Sequence, residues 1–204
     1  MRIDKRRYYH LDWYLIINGL LIFGIGLLNL LSATSSFSSG SYNFMIKQLI
    51  AFAMGLVLIG VVMYYDYRVI ANQSRWIYLG GLCLVILVLI IGLAAGGAKR
   101  WISLFGFSIQ PSELMKPILV IFLANMLHEK KRQNIPLSLK DIGKPLLWTL
   151  IPFVLIVKQP DLGTGIVIIL VCFAILWYVG LKRSTYAVIF GVGAISPFFA
   201  WNYL

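Results

Sequence analysis

Seven apolar runs, most of them about as long as a membrane crossing, dominate the sequence and leave room for little else. They fall at residues 13–31, 46–64, 76–95, 111–127, 145–157, 164–179 and 185–204. A helix needs about 20 mostly apolar residues to cross a hydrocarbon core about 30 Å thick. In lipid the backbone must satisfy its own polar groups, and a helix does so within one segment. The runs are apolar all round, so neither strand alternation nor a heptad competes with the helical reading. The fifth run is short and holds Pro152, so it is either kinked there or extended back through Ile142. Only 12% of residues are charged and 60% are apolar, against about 25% charged in a soluble domain. That supply cannot cover a water-facing surface. A soluble enzyme, a disordered tail and a nucleic-acid-binding domain are excluded. The predicted fold is all-α: a polytopic transmembrane helical bundle, one membrane domain over residues 1–204.

The net charge of +11 is then a matter of orientation and of contact with anionic lipid. With the N-terminus inside, the inner segments carry thirteen Lys and Arg, and the outer segments carry only Lys47, Lys99, Arg100 and Lys158. This bias predicts a cytoplasmic N-terminus and an outer end for the seventh run. Arg2, Lys5, Arg6 and Arg7 precede the first run as they would in a signal peptide. The apolar stretch that follows is longer than the usual 7–15 or so residues and lacks an Ala-x-Ala site, so it reads as a retained helix. Cys83 and Cys172 lie inside apolar runs as small fillers. His10 and His128 have no ligand-spaced neighbours, so no metal or cofactor is predicted.

The acids sort more sharply than the bases. Asp4, Asp12, Asp66, Glu129 and Asp141 fall on inner, solvated segments, whereas Glu113 and Asp161 fall at the outer face. Both follow a proline near a predicted helix start, where the helix dipole favours a carboxylate. Helix capping alone would explain either one. Lys116, three residues after Glu113, lies on the same helical face and within the fourth run. Ionisable residues at that depth are functional candidates by default. The outer loop 96–110 adds Gly96-Gly97-Ala98-Lys99-Arg100-Trp101. Its small residues permit close backbone approach, Lys99 and Arg100 suit an anion such as phosphate, and Trp101 suits the headgroup level. The candidate substrate-binding residues are therefore Arg100, Gln110, Glu113, Lys116 and Asp161.

Three segments carry a family resemblance. Gly97-Ala98-Lys99-Arg100-Trp101-Ile102, Gln110-Pro111-Ser112-Glu113-Leu114-Met115-Lys116 and Gln159-Pro160-Asp161-Leu162-Gly163-Thr164 resemble, in order and in outer placement, the SEDS family (shape, elongation, division and sporulation), most closely its rod-shape branch. The likeness extends over the whole chain. It implies a multi-pass protein of the bacterial cytoplasmic membrane that polymerises lipid II into peptidoglycan glycan strands beside a class B penicillin-binding protein. It implies no cofactor. In the family the catalytic aspartate lies in a large outer loop after the seventh helix. The resemblance thus makes this chain an N-terminal half, without a catalytic residue of its own and inactive alone. Arg100 and Lys116 would meet the lipid diphosphate, with Glu113 and Gln110 orienting them and Asp161 ordering the neighbouring loop. Two other roles remain compatible with the residues, a lipid II transporter and a noncatalytic scaffold of the cell-wall machinery.

Overall fold

The computed structural model describes residues 12–34, 41–95, 98–104 and 107–188. Its helices are α1 (Trp13–Thr34), α2 (Ser41–Tyr64), α3 (Tyr67–Asn72), α4 (Ser74–Ile91), α5 (Pro111–Arg132), α6 (Leu139–Val157) and α7 (Leu162–Val179). Residues 183–188 are helical again. Six of these helices lie over the first six apolar runs. The rest of the run 185–204 lies outside the described residues. Helix α6 reaches back beyond Ile142 to Leu139, with Pro152 inside it. Four helices among the described residues are long and apolar enough to cross a membrane: α1, the Phe44–Tyr64 part of α2, α4 and α7. The chain is a multi-pass membrane protein.

Two compact units divide the chain at Tyr65 and Asp66. In the first, α1 packs on α2 and Phe23 stacks on Phe52 with ring centroids 3.7 Å apart. In the second, α4 through α7 share a core of buried side chains that includes Val85, Met115, Leu119, Leu123, Ile168, Cys172 and Leu176. Helix α4 comes close to α5 at Gly81, where a Cβ would lie 2.9 Å from Ile118 Cδ1. Lipid supplies no hydrophobic drive between helices, so such small residues gain their packing by bringing backbones together.

Proline shapes α6. Pro152 has no N–H, so the Trp148 carbonyl, four residues earlier, loses its helical donor. Tyr78 of α4 replaces it, its hydroxyl donating to that carbonyl at 2.6 Å. The Tyr78 ring also stacks on Phe122 and meets Trp148 edge-on, so one aromatic cluster joins α4, α5 and α6.

The connection between α4 and α5 is more regular than its composition suggested. Strands β1 (Leu93–Ala95), β2 (Ala98–Leu104) and β3 (Phe107–Ile109) form an antiparallel sheet in the order β1-β2-β3. Leu93 faces Trp101, and Ser103 faces Ser108. This ribbon contacts α4 and α5, and so presents Arg100 to the end of the helix bundle that carries Glu113.

At the opposite end, Gly180 terminates α7 with φ 104°, a left-handed conformation that glycine adopts without a Cβ clash. The chain then runs parallel to the α5–α6 connection. Leu137 N donates to Gly180 O and Lys182 N donates to Leu137 O, both at 2.9 Å. Helix α6 starts at a capping arrangement in which the Ser138 backbone N–H and hydroxyl both donate to Asp141 Oδ2, at 3.0 and 2.7 Å. Lys130 pairs with the other oxygen of Asp141 at 3.2 Å. The Ser138 bonds first, and Lys130 second, hold the Asp141 carboxyl down at about 2.

Candidate functional site

The α5 and α7 N-termini sit side by side, joined through two side chains. Gln110, the N-cap residue of α5, donates from Nε2 to Asp161 Oδ2 and to Ser112 Oγ, both at 2.9 Å. Asp161 in turn caps α7, its Oδ1 accepting from the Thr164 N–H at 3.3 Å. It is only 8% exposed. A buried carboxylate at this position satisfies an amide that the helix itself leaves unpaired, and the dipole favours its negative charge. The local sequence explains the geometry. Pro111 occupies the first turn of α5, where its missing N–H costs nothing, and Gln110 ahead of it is left extended.

Arg100 ties the β-ribbon to this pair of helix ends. Its Nε donates to Gln159 O at 3.0 Å, and its Nη2 donates to Pro160 O. Gln159 is 1% exposed and donates from Nε2 to Val85 O at 3.0 Å. Its Oε1 is buried without a partner. The Gln159-Pro160-Asp161 turn is thus fixed from three sides, by α4, by β2 and by Gln110.

Glu113 and Lys116 form an ion pair one turn into α5, with Lys116 Nζ 2.7 Å from Glu113 Oε2. The Lys116 side chain is 27% exposed and that of Glu113 is 53% exposed. The pair therefore sits at a rim, the lysine deeper than the carboxylate.

All five sequence-derived candidates belong to this one end of the second unit, but their roles divide differently from expectation. Glu113 pairs with Lys116. Gln110 orients Asp161 and neither cation. Arg100 spends two donors on backbone carbonyls, so it acts on the turn first and can offer an anion only its remaining N–H groups. Asp161 caps α7 and accepts from Gln110. The Lys99 side chain lies outside the described residues. Gln159, outside the five candidates, is the buried link between the turn and α4. A glutamine directly before Pro-Asp at the end of an apolar helix gives no sign of burial until α4 is packed against it. Among the described residues, no group of three or more His, Cys, Asp or Glu is placed to hold a metal ion.

The profile of the cell cycle protein family FtsW/RodA/SpoVE matches residues 12–203. The chain belongs to this family. Stage V sporulation protein E of Bacillus subtilis (strain 168) is 33% identical over 193 residues, covering 92% of this chain and 52% of the relative. A probable peptidoglycan glycosyltransferase FtsW of Coxiella burnetii is 31% identical over 184 residues, covering 87% of this chain and 49% of the relative. Among solved structures, a chain of a peptidoglycan synthase complex superimposes with a TM-score of 0.79 at 26% identity, covering 96% of this chain and 56% of that one. The chain spans about half the length of the curated relatives it matches.

Proposed function

We propose that this chain forms the substrate-cradling part of a peptidoglycan glycosyltransferase of the bacterial cytoplasmic membrane. The substrate is lipid II, held at the outer face, and the partner is a class B penicillin-binding protein that cross-links the product. The observation that carries the reading is the convergence of the α5 and α7 N-termini, joined by Gln110 and Asp161, beside the cations Arg100 and Lys116. Arg100 and Lys116 offer the charge-assisted donors that a diphosphate needs, while Asp161 and Glu113 already occupy the two helix N-termini. The apolar helix surfaces below suit a polyprenyl tail. Family membership and the name of the FtsW relative support the chemistry. The peptidoglycan synthase complex supports the partnership.

The division of labour follows from the local chemistry. Lys116 is the mobile donor, since a flexible ammonium can leave Glu113 for a phosphate oxygen. Arg100, anchored on the turn carbonyls, fixes the distance between the ribbon and α7. Binding of lipid II to the purified chain in detergent tests this directly. Lys116→Met is expected to weaken binding by about ten-fold, the order of one charge-assisted hydrogen bond. Unchanged binding in that variant would remove Lys116 from the site.

A further inference from the structure

The other end of α5 and α7 carries a second cluster that the proposed reaction does not use. Lys131, in the last turn of α5, donates from Nζ to Tyr178 O at 2.8 Å and lies 4.4 Å from the centroid of the Tyr178 ring. The carbonyls at a helix C-terminus and an aromatic face both hold a cation without neutralising it. The backbone bonds between Leu137, Gly180 and Lys182 set the chain after α7 beside the α5–α6 connection. Thr185, fully buried, reinforces the contact by donating to Leu137 O at 3.3 Å. The Lys182 backbone is thereby held against the α5–α6 connection that follows Lys131, with Arg183 next in the chain and both side chains exposed. Among the described residues, the ion pairs of this end are Lys130 with Asp141 and Arg132 with Glu129, and none involves Lys131, Lys182 or Arg183.

Two aromatic residues flank the cations and face outward. Trp177 is 62% exposed and Tyr178 is 72% exposed, and Trp177 meets Tyr186 edge-on with centroids 5.3 Å apart. Exposed Trp and Tyr at the end of an apolar helix mark the headgroup level. Below Trp177, the residues Ile166, Leu170 and Phe173 continue an exposed apolar stripe along α7. Their spacing of three to four residues keeps them on one helical face.

We infer that this end of α7 is a docking site for an anionic phospholipid. Its phosphodiester headgroup sits on Lys131, Lys182 and Arg183, and its acyl chains lie along the α7 stripe. Charge complementarity selects the ligand: three cations without acid partners, at headgroup level, favour an anionic lipid over a zwitterionic one. The stripe selects a lipid over a free phosphate, which has no use for an apolar face.

The test uses the full chain in neutral detergent, titrated with phosphatidylglycerol, phosphatidylcholine or inorganic phosphate, and read by native mass spectrometry and thermal unfolding. Phosphatidylglycerol is expected to bind and to raise the unfolding midpoint, with phosphatidylcholine and phosphate doing neither. The variant K131Q/K182Q/R183Q should weaken phosphatidylglycerol by about ten-fold or more, with an unchanged midpoint in detergent alone as the check on folding. A second variant, K140Q/K144Q, removes charge from α6 at the same end and should change binding less than two-fold. Equal losses in the two variants would mean diffuse attraction and would overturn the site. Full competition by phosphate would overturn it in favour of a small anion. Stabilisation by polyglutamate but not by phosphatidylglycerol would overturn it in favour of an acidic protein partner.

Discussion

The Tyr78 hydroxyl donates at 2.6 Å to the Trp148 carbonyl, the acceptor that Pro152 leaves without its helical partner. A proline inside a membrane helix is tolerated when a neighbour satisfies the freed group. Here the neighbour is a fully buried phenol, whose ring is already held by Phe122 and Trp148. Fixing that carbonyl also fixes α6, and α6 delivers the Gln159-Pro160-Asp161 turn to the candidate site.

Tyr78→Phe keeps the ring packing and removes only the donor. It is expected to cost about 1–3 kcal/mol, the penalty for a buried unpaired carbonyl, measured by thermal or denaturant unfolding in detergent. In a Pro152→Ala background the helix regains its own donor for Trp148. The same Tyr78→Phe change should then cost less than half as much. Equal costs in the two backgrounds would show that the phenol does not serve the proline's vacancy.

The Glu113–Lys116 pair invites a double-mutant cycle. At 2.7 Å the contact is close, but with Glu113 53% exposed solvent screens it, and coupling of up to about 1 kcal/mol is expected. Glu113→Gln and Lys116→Met should each destabilise the chain. The double variant should be less harmful than the two losses combined, because removing one partner strands the other. Strict additivity in unfolding free energies would reduce Glu113 to a dipole cap.

Acid sensitivity should concentrate at the start of α6. The Ser138 bonds and Lys130 hold the Asp141 carboxyl at about 2 in the folded chain, below an ordinary value of about 3.9 when unfolded. The stabilisation is therefore complete above about pH 4 and is lost as pH falls through about 2. Glu129 is also held below its usual range, by Arg132 first and Gln133 second, so it contributes in the same direction. Amide exchange in the first turn of α6 should accelerate over that interval in the native chain. Asp141→Asn should flatten the response there, and an unaltered profile would assign the effect to Glu129.

The helices were legible because membrane burial writes itself as unbroken apolar length, a signal that needs no knowledge of neighbours. The β-ribbon was less so. Its strands are short, and the sequence between them, Gly96-Gly97 and Phe105-Gly106, carries turn composition that weighs little beside long apolar runs. In the site, the Glu113–Lys116 pair could be read from helical spacing alone. The bonds from Arg100 to Gln159 and from Gln110 to Asp161 could not, because each spans more than fifty residues to the α6–α7 turn. The bond from Tyr78 to Trp148 joins positions separated by seventy residues. Pro152 announced an orphaned carbonyl, but only the packing of α4 on α6 names its donor.

The last prediction concerns proton transfer. Extending a glycan strand requires a group that accepts a proton from the attacking sugar hydroxyl, within hydrogen-bond reach of it. Among the described residues of the second unit, Glu113 and Asp161 are the acids beside the candidate site. Glu113 is bound to Lys116 at 2.7 Å. Asp161 is buried, accepts from Gln110 with one oxygen and caps α7 with the other, so both oxygens are engaged in holding the fold. Neither is free to act as a base while it keeps these partners. The purified chain, given lipid II and a class B penicillin-binding protein, is therefore expected to bind the lipid and to form no polymer above background. The assay is gel separation of labelled glycan. Polymer that disappears in an Asp161→Asn variant retaining the native unfolding midpoint would overturn this, and would make Asp161 the base as well as the cap.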